Sequence, residues 1–183
     1  MFNSLFDGAP VDIMQMLDAR ERRAHTQQQL LEQLNPCVLV SITLNIPGPV
    51  KNSEAITTVF ASVISELDEA LMPFEKLHQE DFSLGTGMEF YRVLRADALD
   101  VKRACMEFEE GHQLGRLLDI DVVEMAGETP TPISRTALGM SPRRCFICNE
   151  EAKVCARSRK HTVLEMQEHI ARLVAEYTSM KRP

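Results

Sequence analysis

The chain has 183 residues, 44% hydrophobic and 26% charged, which suits one ordinary domain with its own core and excludes a disordered or membrane-embedded protein. Its net charge of -7 speaks against a general nucleic-acid binder, and no apolar run approaches the roughly 20 residues of a membrane helix. Five cysteines, an odd number, fit reduced cytoplasmic thiols better than a disulfide framework.

The opening MFNSLFDGAPVDIMQMLDAR has acids but no basic stretch before its apolar residues, so it does not read as a secretory signal. Asp12 and Gln15 have the spacing of a helix cap, and a first helix is predicted from there to Leu34, ended by Pro36. CVLVSITLN has strand composition. NIPGPVKNS is a turn whose Ser53 can cap the next helix, where Ile56, Val59, Phe60, Val63, Ile64, Leu67 and Leu71 keep helical spacing. Pro73 closes it. FEKLHQEDF and MEFYRVLRA, joined by SLGTG, predict a hairpin.

Asp97 caps a helix that places Ala98, Val101, Cys105 and Phe108 on one face. EEGHQLG turns the chain into the strand RLLDIDVVE. The predicted order from Cys37 to Glu124 is β-α-β-β-α-β, an α+β ferredoxin-like core with a four-stranded antiparallel sheet and two helices on one face. After Glu124 the chain is loop-like until a basic segment. Thr162 and Glu165 then form a capping box for a last helix with the stripe Val163, Met166, Ile170, Leu173, Val174 and Tyr177.

Chemistry concentrates in two places. In LGRLLDIDVV, residues two apart on a strand share a face, so Asp119 and Asp121 stand side by side while Ile120 and Val122 point to the core. Paired carboxylates repel unless a cation lies between them or one is protonated, and their hard oxygens suit Mg²⁺ with substrate phosphates. That is the equipment of phosphoryl-transfer enzymes; a solvated acidic strand face is the plainer alternative. Arg116 precedes the pair. His112 stands on the turn, either for proton transfer or as an ordinary loop histidine. Lys51 precedes a helix N-terminus, either one that favours anions or a plain strand-to-helix turn.

The second place is RRCFICNEEAKVCARSRKH. Arg135 to His161 holds seven basic residues and two acids, so it is near +5 against about -12 for the rest. Cys145, Cys148, Cys155 and His161 are spaced C-x2-C-x6-C-x5-H, a set suited to structural zinc. The alternatives are cysteines that only pack a loop, and a basic loop whose Arg144, Arg157 and Arg159 grip phosphate.

Taken together, NIPGPVKNS, TGMEFYRVL, GRLLDIDVV, ISRTALG and RRCFICNEEAKVCARSRKH make the chain resemble the apo-citrate lyase phosphoribosyl-dephospho-CoA transferases, over most of its length. The resemblance implies one transferase domain over residues 1–183, cytoplasmic and related to nucleotidyltransferases. It implies transfer of 2'-(5''-triphosphoribosyl)-3'-dephospho-CoA to a serine of the acyl carrier (gamma) subunit of citrate lyase, with release of pyrophosphate. No nucleic acid or membrane partner is expected. Under it, Asp119 and Asp121 hold Mg²⁺, Arg116 and Lys51 stabilise phosphate charge, and His112 or a carboxylate takes the serine proton. Arg135, Arg144, Arg157 and Arg159 meet outer phosphates or the acidic carrier. The chain departs from general nucleotidyltransferases in that Gly115-Arg116 lies close before the carboxylates, and only Glu89 offers itself as a third acid. A zinc-braced binding module and a non-catalytic scaffold for the carrier are the competing readings.

Overall fold

A computed structural model describes residues 5–148 and 150–181. The elements follow the order α1 (Ile13–Leu34), β1 (Val38–Leu44), α2 (Glu54–Ala70), β2 (Glu75–Leu84), β3 (Gly87–Arg95), α3 (Ala98–Gly111), β4 (Leu118–Ala126), β5 (Thr129–Pro132), α4 (Ala152–Ser158) and α5 (Val163–Met180). The caps read from sequence are in place. Asp12 Oδ1 accepts from Gln15 N at 2.8 Å and Thr162 Oγ1 from Glu165 N at 3.1 Å, each returned by the N3 side chain. Ser53 Oγ accepts from Ile56 N at 3.1 Å and Asp97 from Leu99 N at 2.9 Å.

The fold is α+β, with every strand pair antiparallel and the strands in the order β2-β3-β1-β4-β5. The sheet therefore has five strands where four are expected from the sequence. The added β5 has the sequence TPTP, and its prolines hide it from any propensity argument. It covers only Val123–Ala126 of β4, so among the described residues no strand pairs with the outer side of the first half of β4.

One face of the sheet carries Val40, Ile42, Phe90, Leu94, Ile120 and Val122. Against them pack Phe60 and Leu67 of α2, Val101 of α3, and Ile170 and Val174 of α5. Each such apolar side chain contributes about 1.5–3 kcal/mol through burial. The last helix thus joins the two helices expected on this face. Only the C-terminal part of its stripe is buried; Val163 is 44% exposed. The opposite face is smaller: Leu30 and Leu31 of α1 cover Leu39, Tyr91, Val93 and Val123. Further along that face, Glu89 is buried and anchors α1, accepting from Arg22 at 2.7 Å, Arg23 at 3.1 Å and the Tyr91 hydroxyl at 3.0 Å.

Gly115 opens the 3₁₀ turn Gly115–Leu117 that feeds β4. A Cβ there would lie 2.6 Å from the Phe108 carbonyl oxygen and 2.8 Å from that of Glu109. Glycine lets the start of β4 pass hard against the end of α3.

Candidate active site

Register places the carboxylates. Asp119 lies opposite Thr43 and Asp121 opposite Ser41, while Leu118, Ile120 and Val122 enter the core under α2, α3 and α5. Strand alternation therefore turns both aspartates to the α1 face of the sheet. On the far side of β1, Glu89 is the partner of Thr43 and Tyr91 of Ser41. Glu89 stands on the same face as the pair, but two strand spacings away, roughly 9.6 Å. Its oxygens are already engaged by Arg22, Arg23 and Tyr91. Partial desolvation, reinforced by the charge of Asp119, pushes the Asp121 carboxyl above the ordinary aspartate range.

A charged chain leads from the pair around the open edge of β4. Arg143 reaches Asp119 Oδ1 with Nη1 at 3.4 Å and donates to Glu109 with Nη2. Glu109 is buried on α3 and also accepts from Arg135 Nη1 at 3.1 Å, while Arg135 pairs with Glu110 as well. Burial raises the Glu109 carboxyl, and the nearby cations oppose that rise. Lys102, also buried, donates to the Ile120 carbonyl at 3.2 Å on the edge that β5 leaves uncovered.

Beside this chain lies a cavity of 550 Å³. Arg116, Arg143, Arg144 and Arg159 line it, together with apolar Phe146 and Met166. A smaller cavity of 250 Å³ shares Arg116, Arg143 and Arg144 and adds Glu109 and Arg135. Arg116 donates to the Arg144 carbonyl, which ties the turn before β4 to the basic segment. Arg157 is exposed on α4 and does not line the cavity.

Two sequence candidates stand apart from the carboxylates. His112 caps the end of α3 and stacks on Phe108 with ring centroids 4.7 Å apart. Its Nδ1 accepts from Leu114 N at 3.0 Å and its Nε2 faces Glu66 Oε2 at 3.2 Å. Burial lowers its pKa although Glu66 opposes this, and the ring belongs to the layer of α2, α3 and α5. Lys51 donates to the Ile46 carbonyl at 2.7 Å, and burial lowers its ammonium pKa. It lines a separate cleft of 740 Å³ with Arg20 and the exposed Ile13, Met14 and Leu17 of α1.

The side chains of Cys145, Cys148, Cys155 and His161 converge, with one ligand atom from each lying within 4.8 Å of the others. Cys145, Cys155 and His161 also line the arginine cavity.

Sequence reasoning assigns no role of their own to three residues of this site. Arg143 enters the sequence only as one basic residue among seven. Lys102 and Glu109 have a better signal: both interrupt the buried stripe Ala98, Val101, Cys105 and Met106 of α3 with a charge. A charge on an otherwise apolar helix face requires a partner.

The family model for apo-citrate lyase phosphoribosyl-dephospho-CoA transferase matches residues 11–177. A Streptococcus pyogenes protein described as a probable apo-citrate lyase phosphoribosyl-dephospho-CoA transferase is 40% identical, over 96% of this chain and 91% of its own length. The Shigella boydii apo-citrate lyase phosphoribosyl-dephospho-CoA transferase is 35% identical, over 85% of this chain and 84% of its own. Protein CitXG of Leuconostoc mesenteroides is 33% identical over 95% of this chain, which spans 37% of that longer protein. With matches of this extent the chain belongs to the apo-citrate lyase phosphoribosyl-dephospho-CoA transferase family.

Proposed function

We propose that this chain transfers the 2'-(5''-triphosphoribosyl)-3'-dephospho-CoA group to a serine of the apo acyl carrier (gamma) subunit of citrate lyase. The serine Oγ forms a bond to the first phosphorus of the triphosphate, the bond to the next phosphate breaks, and pyrophosphate departs. The carrier is left with a phosphodiester. One observation carries the assignment of roles: Arg143 touches Asp119 and also lines the arginine cavity, so the carboxylates and the cavity form one site. A volume of 550 Å³ is within the roughly 300–1,000 Å³ of small-molecule sites. Four arginines suit phosphates, and Phe146 and Met166 offer apolar surface to the remainder of the ligand.

Asp119 and Asp121 present the hard oxygens that Mg²⁺ prefers; desolvation and then the charge of Asp119 raise Asp121, and a cation would relieve that second contribution. When bound there, Mg²⁺ supplies neutralisation of triphosphate charge. Arg116, Arg143, Arg144 and Arg159 orient the triphosphate and stabilise the leaving pyrophosphate. Arg135 acts one step back, holding Glu109 against Arg143. With Nδ1 of His112 committed to Leu114, the serine proton falls to the carboxylate pair rather than to His112. Lys51 lies nearer the α1 cleft, where it meets the carrier or the outer part of the ligand. Arg157 faces the carrier from α4.

We read β1-α2-β2-β3-α3-β4 as a ferredoxin-like unit of nucleotidyltransferase ancestry, with β5, α1, α4 and α5 added to it, in one domain over residues 1–183. No helix among the described residues is long and apolar enough to cross a membrane. A cytoplasmic enzyme with no nucleic-acid partner is the reading that accompanies this function. A binding module or scaffold without turnover is not favoured, because the relatives are named as transferases.

Incubating the protein with apo carrier, the triphosphoribosyl nucleotide and Mg²⁺ should raise the carrier's mass by the prosthetic group and release one pyrophosphate. An unchanged carrier mass with verified substrates would remove the enzyme reading.

A further inference from the structure

The stretch from residue 124 to residue 169 has almost no core of its own. Among its described residues only Cys155 is buried. A segment of this length has too little apolar burial to offset its ordering entropy and usually needs a staple. A candidate staple is present as a donor set: Cys145, Cys148, Cys155 and His161 each bring one ligand atom within 4.8 Å of the others.

Two of the spacings match the edges of a zinc tetrahedron, and all four ligand atoms lie within 4.8 Å of one another. Zinc bonds of about 2.3 Å to sulfur and about 2.0 Å to nitrogen give edges of roughly 3.8 Å between sulfurs and roughly 3.5 Å from sulfur to nitrogen. Cys145 Sγ and Cys155 Sγ lie 3.6 Å apart, and His161 Nε2 and Cys148 Sγ 3.3 Å apart. The local backbone is organised for ligation. Arg144 and Glu151 form an antiparallel bridge, with Cys145 N donating to Glu150 O at 2.8 Å and Ala152 N to Arg143 O at 2.8 Å. Cys145 and Cys148 lie in sequence between the two bridged residues of this small hairpin, and Ile147 N donates to Cys145 Sγ at 3.5 Å. Cys155 comes from α4. At the end of α4, Arg159 takes φ 49°, a left-handed turn that brings His161 back to the sulfurs.

We propose that Cys145, Cys148, Cys155 and His161 bind one structural Zn²⁺ that clasps the hairpin, α4 and the start of α5. Four protein ligands leave no open position, so the ion takes no part in chemistry. Binding releases the three thiol protons to solvent and leaves a site of net charge -1. Its task is mechanical. Arg143 and Arg144 lie directly before Cys145, and Arg159 two residues before His161, so the clasp holds three of the four cavity arginines in place. The clasp stands on its own geometry, whatever group the arginines bind.

The test uses the full chain, expressed with zinc in the medium and purified under thiol reductant without chelator. Elemental analysis should give one zinc per chain, falling to about a tenth or less in Cys148→Ser and Cys155→Ser. Cobalt exchange into the wild type should give the visible absorption of a tetrahedral thiolate site, which requires no variant to fold. Stripping with a strong chelator should expose residues 143–161 to protease, and stoichiometric zinc but not magnesium should restore protection. A folded wild type that carries no zinc and gains none on titration would overturn the proposal. So would recovery of an iron–sulfur cluster, or of a Cys145–Cys155 disulfide under reductant.

Discussion

Asp119 and Asp121 are close in sequence but differ in surroundings. Asp119 has Arg143 at 3.4 Å, whereas Asp121 faces desolvation and the charge of its neighbour. A carboxyl raised in the folded state binds its proton more tightly there than in the unfolded chain. It therefore costs stability above its folded pKa, and that cost disappears below the ordinary aspartate value of about 3.9. Asp121 is nevertheless solvent-exposed, so the effect is small: Asp121→Asn should melt slightly higher than the wild type near neutrality, with the gain shrinking as pH falls toward about 4, as followed by thermal denaturation. The same variant should lose nearly all transfer, and so should Asp119→Asn; near-normal turnover by both would sink the metal assignment. Arg143→Lys keeps the charge but cannot bridge Glu109 and Asp119 with two nitrogens. A loss of about 1.5–3 kcal/mol, roughly ten- to a hundredfold in kcat/KM, is expected from steady-state kinetics. The aspartates themselves are legible in sequence because strand alternation is local. Arg143 is not, because its meeting with Asp119 depends on a chain path 24 residues long.

Among the elements, helices with side-chain caps and strands of β-branched and aromatic composition follow from sequence, since both signals lie within a few residues. Two elements leave no such trace. The helix α4 has seven residues and no side-chain cap, and β5 pairs only because β4 offers it an edge. The placement of α1 on the opposite face is also nonlocal, resting on Glu89 far along the chain. Glu89→Ala should free the N-terminal half of α1 and leave the Tyr91 hydroxyl without its acceptor. Loss of about 3 kcal/mol is expected, together with faster amide exchange in α1 than in α2. At the junction of α3 and β4, Gly115→Ala forces a methyl onto two backbone carbonyls that cannot swing aside. A cost of about 1–3 kcal/mol in chemical denaturation should accompany reduced transfer, because the turn that carries Arg116 must shift.

The whole molecule is acidic, with one basic district that the fold sets beside the carboxylates. A carrier that presents an acidic surface would be drawn to that district and held off elsewhere. Arg157 is the convenient probe, exposed on α4 and outside the cavity. Arg157→Glu should raise KM for the carrier at low salt with little change in kcat or in KM for the nucleotide, and the difference should fade as ionic strength rises.

The hidden strand β5 has one more effect, on how copies of the protein meet. Ile133 donates its N–H inward to Val122 O, so Thr131 and Thr129, of the same parity, also point their donors toward β4. The outward positions are Pro130 and Pro132, which have no N–H to give. An extended segment from a neighbouring chain that approached this rim would find acceptors without donors. Replacing both prolines with threonine should supply the missing donors and allow light scattering to grow with time in concentrated solution, whereas the native rim keeps the sheet finite.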